Sequence, residues 1–150
     1  MSKQKIVDIA FAEIGKTEYP SGTNKTKYGK WFGLDGVPWC AIFVSYCYDK
    51  AGFPIKGMGF TKGFAGCQTA YAYFKKNNLL VEDPEPGDIF LSDWTGDGRF
   101  DHTGIFIEAI DKYTFRTIEG NTSFTNDSNG GSVMCRSRKY RNVVFARIVK

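Results

Sequence analysis

The apolar residues of this chain change their period at Pro84-Glu85-Pro86-Gly87, and that change restricts the fold more than any other feature. Before it, apolar side chains recur at helical spacing. Ile6, Ile9 and Ala10, with Val7, Phe11 and Ile14, give an amphipathic helix over Lys3 to Ile14, and Gly15 stands where it would stop. Tyr19 to Lys30, rich in Gly, Ser, Thr, Asn and Lys, reads as a surface loop. Cys40, Phe43, Val44, Cys47 and Ala51 fall on one face of a second helix that Gly52 and Pro54 end. A third helix covers Gly66 to about Asn77. After the turn come short β-rich runs: Asp88 to Leu91, His102 to Ile110, Thr114 to Glu119, Ser132 to Arg138 and Val143 to Val149. Gly, Asn and Asp clusters separate them, as in an antiparallel meander. The expected class is α+β, with N-terminal helices packed on an antiparallel β-sheet.

A length of 150 residues bounds this at one domain, 1–150, and 42% hydrophobic content supplies its core. The formal charge of +4 helps approach to an anionic polymer without choosing one. There is no dense Lys/Arg stripe and no zinc-finger spacing, so nucleic acid is not an expected partner. The basic run Arg136 to Arg141, interleaved with Ser137 and Tyr140, reads as a solvated strand face. No stretch approaches the roughly 18 apolar residues of a membrane span. No long apolar segment follows Met1-Ser2-Lys3-Gln4-Lys5, so synthesis in the cytoplasm without a signal peptide is expected, as a monomer. Most of the many aromatics belong in the core. Trp39 and Trp94 are the ones expected to grip a substrate.

None of the four cysteines forms a CxxC pair. Cys47, Cys67 and Cys135 read as buried, inert thiols. Cys40 differs, because Pro38-Trp39 places it at the start of an apolar helix. The dipole and free N–H groups of a helix start favour a thiolate and stabilise an oxyanion. A thiolate needs a base, and the chain has a single histidine, His102, at the head of an alternating run. An imidazole needs an orienting acceptor. If the strands from His102 and Thr114 pair as a hairpin, Glu119 and Asn121 arrive beside it and share a face where the strand continues.

Four segments, in this order, resemble the CHAP family of cysteine, histidine-dependent amidohydrolases/peptidases. They are Val37-Pro38-Trp39-Cys40-Ala41, Pro86-Gly87-Asp88-Ile89, Asp101-His102-Thr103-Gly104-Ile105 and Ile118-Glu119-Gly120-Asn121-Thr122. The resemblance implies a papain-like fold and cleavage of bacterial peptidoglycan, with no organic cofactor. It implies Cys40 as nucleophile, His102 as general base, Glu119 orienting the imidazole and Asn121 completing the site. Such domains are common in phage endolysins, where a holin opens the exit to the wall. Many members carry Gln before the nucleophile; here it is Trp39. Some bind calcium through paired acidic residues before the Cys; here only Asp35 is offered.

Asp93, Thr95, Asp97 and Asp101 place oxygens at alternate positions with Gly98 sixth, like the start of an EF-hand calcium loop. Gly104 stands where the bidentate Glu belongs, and a hairpin turn without metal is the competing reading. Two further alternatives stay open for function: a papain-like protease acting on proteins, and a non-enzymatic wall-binding module.

Overall fold

The structure is a computed structural model that describes Ser2 to Lys150; Met1, the first residue of the expected domain, lies outside the described residues. Four helices precede the sheet: α1 (Lys3–Ala12), α2 (Lys27–Phe32), α3 (Cys40–Lys50) and α4 (Cys67–Lys76). Six strands follow: β1 (Leu80–Val81), β2 (Ile89–Ser92), β3 (His102–Ala109), β4 (Thr114–Thr122), β5 (Ser132–Lys139) and β6 (Val143–Ala146). They form one sheet in the order β1-β6-β2-β3-β4-β5, each neighbour antiparallel.

Helix α3 is the centre of the helical layer. Its first six residues, Cys40 to Ser45, are all buried, so it is enclosed by α1 and α2 as well as by the sheet. Close approach to β4 depends on Gly120. A Cβ there would lie 2.6 Å from Phe43 Cβ and 2.9 Å from the Trp39 ring. The sheet is apolar on both faces. Ile89, Leu91, Ile105 and Ile118 meet the helices, while Phe90, Phe106, Phe115 and Phe145 form a second cluster on the far face. Strand alternation produces this division: neighbouring residues such as Ile89 and Phe90 point to opposite sides.

Four points depart from the reading of the sequence. Strand β1 was not expected, and β6 pairs with β1 and β2 instead of continuing the meander beside β5. The expected loop over Tyr19 to Lys30 contains the start of α2, which is six residues long and has glycine inside it. Its signals are a Thr26 hydroxyl accepting from Gly29 N–H and a left-handed Gly33 at the end. Burial of Tyr28 and Phe32 fixes it in place. The last strand ends at Ala146 rather than Val149, because Arg147 turns back to Asp88 and to the Asp83 carbonyl.

Asp88 is the polar tie of the fold. Its carboxylate is fully buried. It meets Lys3 Nζ at 2.6 Å and Arg147 Nη2 at 2.9 Å, and accepts from Glu85 N–H at 2.8 Å. One side chain therefore joins the first helix, the turn before β2 and the segment after β6. Asp88→Ala is expected to destabilise the protein by no more than about 3 kcal/mol. That is the low end for breaking a buried pair, because both cations retain solvent access. Urea unfolding of the variant measures it.

Candidate active site

Cys40 opens α3, and Trp39 stands at the cap with extended φ and no side-chain cap. The N–H groups of the first turn are therefore free of intrahelical partners at the end of the helix that carries the thiol. Trp39 corrects an expectation. It is fully buried and stacks on Tyr28 with ring centroids 5.4 Å apart, so it supports the helix start from inside and offers no surface to a substrate.

His102 opens β3 and is fully buried. Its Nε2 lies 2.8 Å from Glu119 Oε1. Its Nδ1 has no completed hydrogen bond among the described residues, which leaves that nitrogen open to the adjoining Cys40 thiol. The sheet register explains how Glu119 gets there. Pairing of Ile105 with Ile118 puts Gly104, not His102, opposite Glu119. Glu119 must lean across the glycine to reach the imidazole. A Cβ on residue 104 would lie 2.6 Å from Glu119 Cγ and 2.6 Å from Phe90 Cε1.

Glu119 has further partners that the sequence did not reveal. Arg138 Nε donates to Oε2 at 2.7 Å, Arg138 Nη2 donates to Oε1, and Thr117 Oγ1 donates to Oε2 at 2.6 Å. The run Arg136 to Arg141 is thus not simply a solvated face. Arg138 is buried, and Arg136 donates to Thr122 Oγ1, the Ser123 carbonyl and Asp127. Alternation on β5 turns both arginines to the face that carries Glu119. Trp94 is half-buried and lies against the imidazole, with ring centroids 5.1 Å apart. The Arg138 guanidinium lies 4.4 Å from the Trp94 ring centroid.

Asn121 takes a different position from the one expected. The register of β4 shifts between Glu119 and Thr122, and Asn121 is left-handed, with φ at 58°. The period-two relation to Glu119 is broken there. The Asn121 amide donates to Asn129 Oδ1 at 3.0 Å and accepts from Gly131 N–H at 3.0 Å. It closes the loop between β4 and β5, and the imidazole is bonded by Glu119.

Cys67 is buried as expected but not isolated, while Cys135 is only half-buried, against the expectation. Cys67 opens α4 as Cys40 opens α3, and the two thiols are neighbours. All four cysteines are free. The Cys67 hydrogen bond and the His102 cation hold the Cys40 thiol well below its usual range, against the effect of burial. Cys67 is pushed up by the same bond and by burial. For His102, burial disfavours the charge, but Glu119 and Cys40 outweigh it and raise the imidazole to about 9. For Glu119, burial is again outweighed, here by Arg138 and His102, and its carboxyl falls to about 2. These directions together favour a Cys40 thiolate beside a His102 imidazolium, with Glu119 ionised.

The loop of Asp93 to Asp101 closes on Asp93 itself. Its Oδ1 accepts from Gly96 and Asp97 N–H, and its Oδ2 from Gly98 N–H, at 2.8–3.2 Å. Asp97 Oδ1 accepts from Arg99 N–H. Among the described residues no three His, Cys, Asp or Glu side chains gather as a metal cage. The Asp93 carboxylate is in this way committed to the N–H groups of its own turn.

A family model described as the CHAP domain matches residues 32–121, more than half of the chain. No curated protein matches the sequence. Among solved structures the chain is similar to the wild type endolysin LysIME-EF1, with 13% identity and a TM-score of 0.55. The match covers 97% of this chain and 63% of that one, so the chain spans less than two thirds of the endolysin's length. With the helices and the antiparallel sheet, this likeness bears out the α+β, papain-like architecture.

Two predictions come from this geometry. Gly104→Ala is expected to displace Glu119 and slow Cys40 alkylation by iodoacetamide at least tenfold at neutral pH, with a stability loss of about 1–3 kcal/mol. The second concerns pH. Acidification through the lowered Cys40 value protonates the thiolate, so alkylation falls only well below the usual thiol range. Above about 9 the imidazolium loses its proton. Any reaction that draws on that proton is expected to slow there while alkylation persists. Stopped-flow alkylation beside a pH profile of turnover checks both limbs.

Proposed function

The chain belongs to the CHAP domain family, and from that premise we propose that it hydrolyses an amide bond in the peptide part of bacterial peptidoglycan, as one catalytic domain. The observation that carries this reading is the buried Cys40–His102–Glu119 arrangement at the start of a helix. A module that only binds wall polymer has no use for a thiol held as thiolate. The similarity to an endolysin supports peptidoglycan over protein as the substrate.

In the proposed reaction the Cys40 sulfur attacks the amide carbonyl carbon. The developing oxyanion is met by N–H groups of the first turn of α3. The His102 imidazolium gives its proton to the leaving amine as the C–N bond breaks, leaving a thioester on Cys40. The neutral imidazole then takes a proton from water, whose oxygen attacks the thioester and releases the acid. Glu119, ionised throughout, stabilises the imidazolium and fixes its ring. Both the N-acetylmuramoyl–L-alanine bond and a bond within the wall peptides suit this chemistry. Action on the wall requires passage out of the cell; among the described residues no helix is long and apolar enough to cross a membrane.

Mass spectrometry of fragments released from purified Gram-positive peptidoglycan tests this reading, run beside Cys40→Ala. Release by the wild type alone is expected. New amino termini within peptides identify an endopeptidase; lactyl sugars parted from intact stem peptides identify an amidase. Casein turnover without wall release would move the substrate to proteins, and wall clearing by Cys40→Ala would remove Cys40 as nucleophile.

A further inference from the structure

The imidazole is positioned through a residue outside all four segments that carry the family resemblance. Arg138 lies on β5, opposite Phe115 and on the same face as Thr117 and Glu119. Its guanidinium donates mainly to acidic partners, with one longer contact from Nη2 to Thr122 Oγ1 at 3.4 Å. Nε and Nη2 grip the two oxygens of Glu119, and Nη1 reaches Asp127 Oδ1 at 2.9 Å. A two-point grip of this kind fixes the carboxylate plane as well as its charge. The oxygen taken by Nη2, Oε1, is also the one 2.8 Å from His102 Nε2. Fixing that plane therefore aims the imidazole. The guanidinium carbon lies over the Trp94 ring, and Trp94 lies against the imidazole ring. Arg138 thus bears on His102 by two routes, one along the hydrogen bonds and one through the Trp94 ring tilted against the imidazole.

We propose that Arg138 is a positioning residue for this site, holding Glu119 and Trp94 so that His102 presents one fixed face to Cys40. The proposal rests on the reading of Cys40 and His102 as the hydrolytic pair. Asp127 is the outer end of the same arrangement. It stands in the loop between β4 and β5 with its side chain 53% exposed, and it binds both Arg136 and Arg138. The loop closed by Asn121 and Asn129 is in this way tied to the back of the site.

The single histidine makes the test direct, because every imidazole signal belongs to His102. The proton on Nε2, hydrogen-bonded to a buried carboxylate, is read as a downfield NMR resonance in the wild type. Arg138→Met is expected to abolish that resonance and slow Cys40 alkylation at neutral pH at least tenfold, with unchanged circular dichroism. Arg138→Lys keeps the charge but loses the two-point grip, and is expected to give an intermediate rate and a broadened resonance. A folded Arg138→Met with wild-type resonance and rate overturns the proposal. If Arg138→Met does not fold, Arg138→Lys decides, and wild-type behaviour in it overturns the proposal equally. Neither readout uses peptidoglycan. If the expected pattern holds while the wild type cleaves no wall material, the positioning role stands and the substrate reading fails.

Discussion

Everything at this site depends on keeping one carboxylate charged where no water reaches it. Glu119 is completely buried, and burial alone would protonate it. The guanidinium of Arg138, the hydroxyl of Thr117 and the ring of His102 reverse that outcome between them. An ionised Glu119 in turn lets the equally buried His102 hold a proton, and a charged His102 lets Cys40 stay a thiolate. The charges alternate along the line from arginine to carboxylate, imidazolium and thiolate. Loss of any inner member leaves its neighbour as a buried charge without compensation, which is why such arrangements fail together.

The fold exists to bring three separate segments to that line. α3 delivers the thiol at its start, β3 delivers the imidazole at its first residue, and β4 with β5 deliver the carboxylate and its arginine. Two glycines make the approach possible. Gly120 lets β4 come against Phe43 and Trp39, and Gly104 lets Glu119 lean toward His102. Both lie within segments that also carry the functional side chains, so small residues and reactive ones form one design. Asp88 performs the corresponding task at the opposite end of β2, joining chain ends that would otherwise separate.

Much of this was legible in the residues. Helical period marked α1, α3 and α4, alternation marked the five longer strands, and a thiol after Pro38-Trp39 at the start of an apolar helix stood apart from the other cysteines. A chain with one histidine and one strong thiol candidate names its own pair. What escaped has a common physical cause: it depends on which elements become neighbours. Arg138 looks like any basic residue on an alternating strand until β5 pairs with β4. Cys67 looks unconnected to Cys40 until the fold sets the start of α4 beside it. Asn121 looks like the companion of Glu119 until a register shift and a left-handed backbone turn it to the loop. Trp39 looks like a surface aromatic beside a nucleophile, yet the stack on Tyr28 takes it inside. Helix α2 is too short, and too interrupted by glycine, for its period to show.

The central claim is that His102 is a proton-bearing imidazolium at neutral pH because it lies between Glu119 and the Cys40 thiolate. Direct titration of its ring by NMR measures this, and the lone histidine leaves no ambiguity of assignment. The account predicts an imidazole that stays protonated until about 9 in the intact protein and loses part of that elevation in Cys40→Ala. A ring that titrates at its ordinary value near 6.5, in both proteins alike, would contradict it.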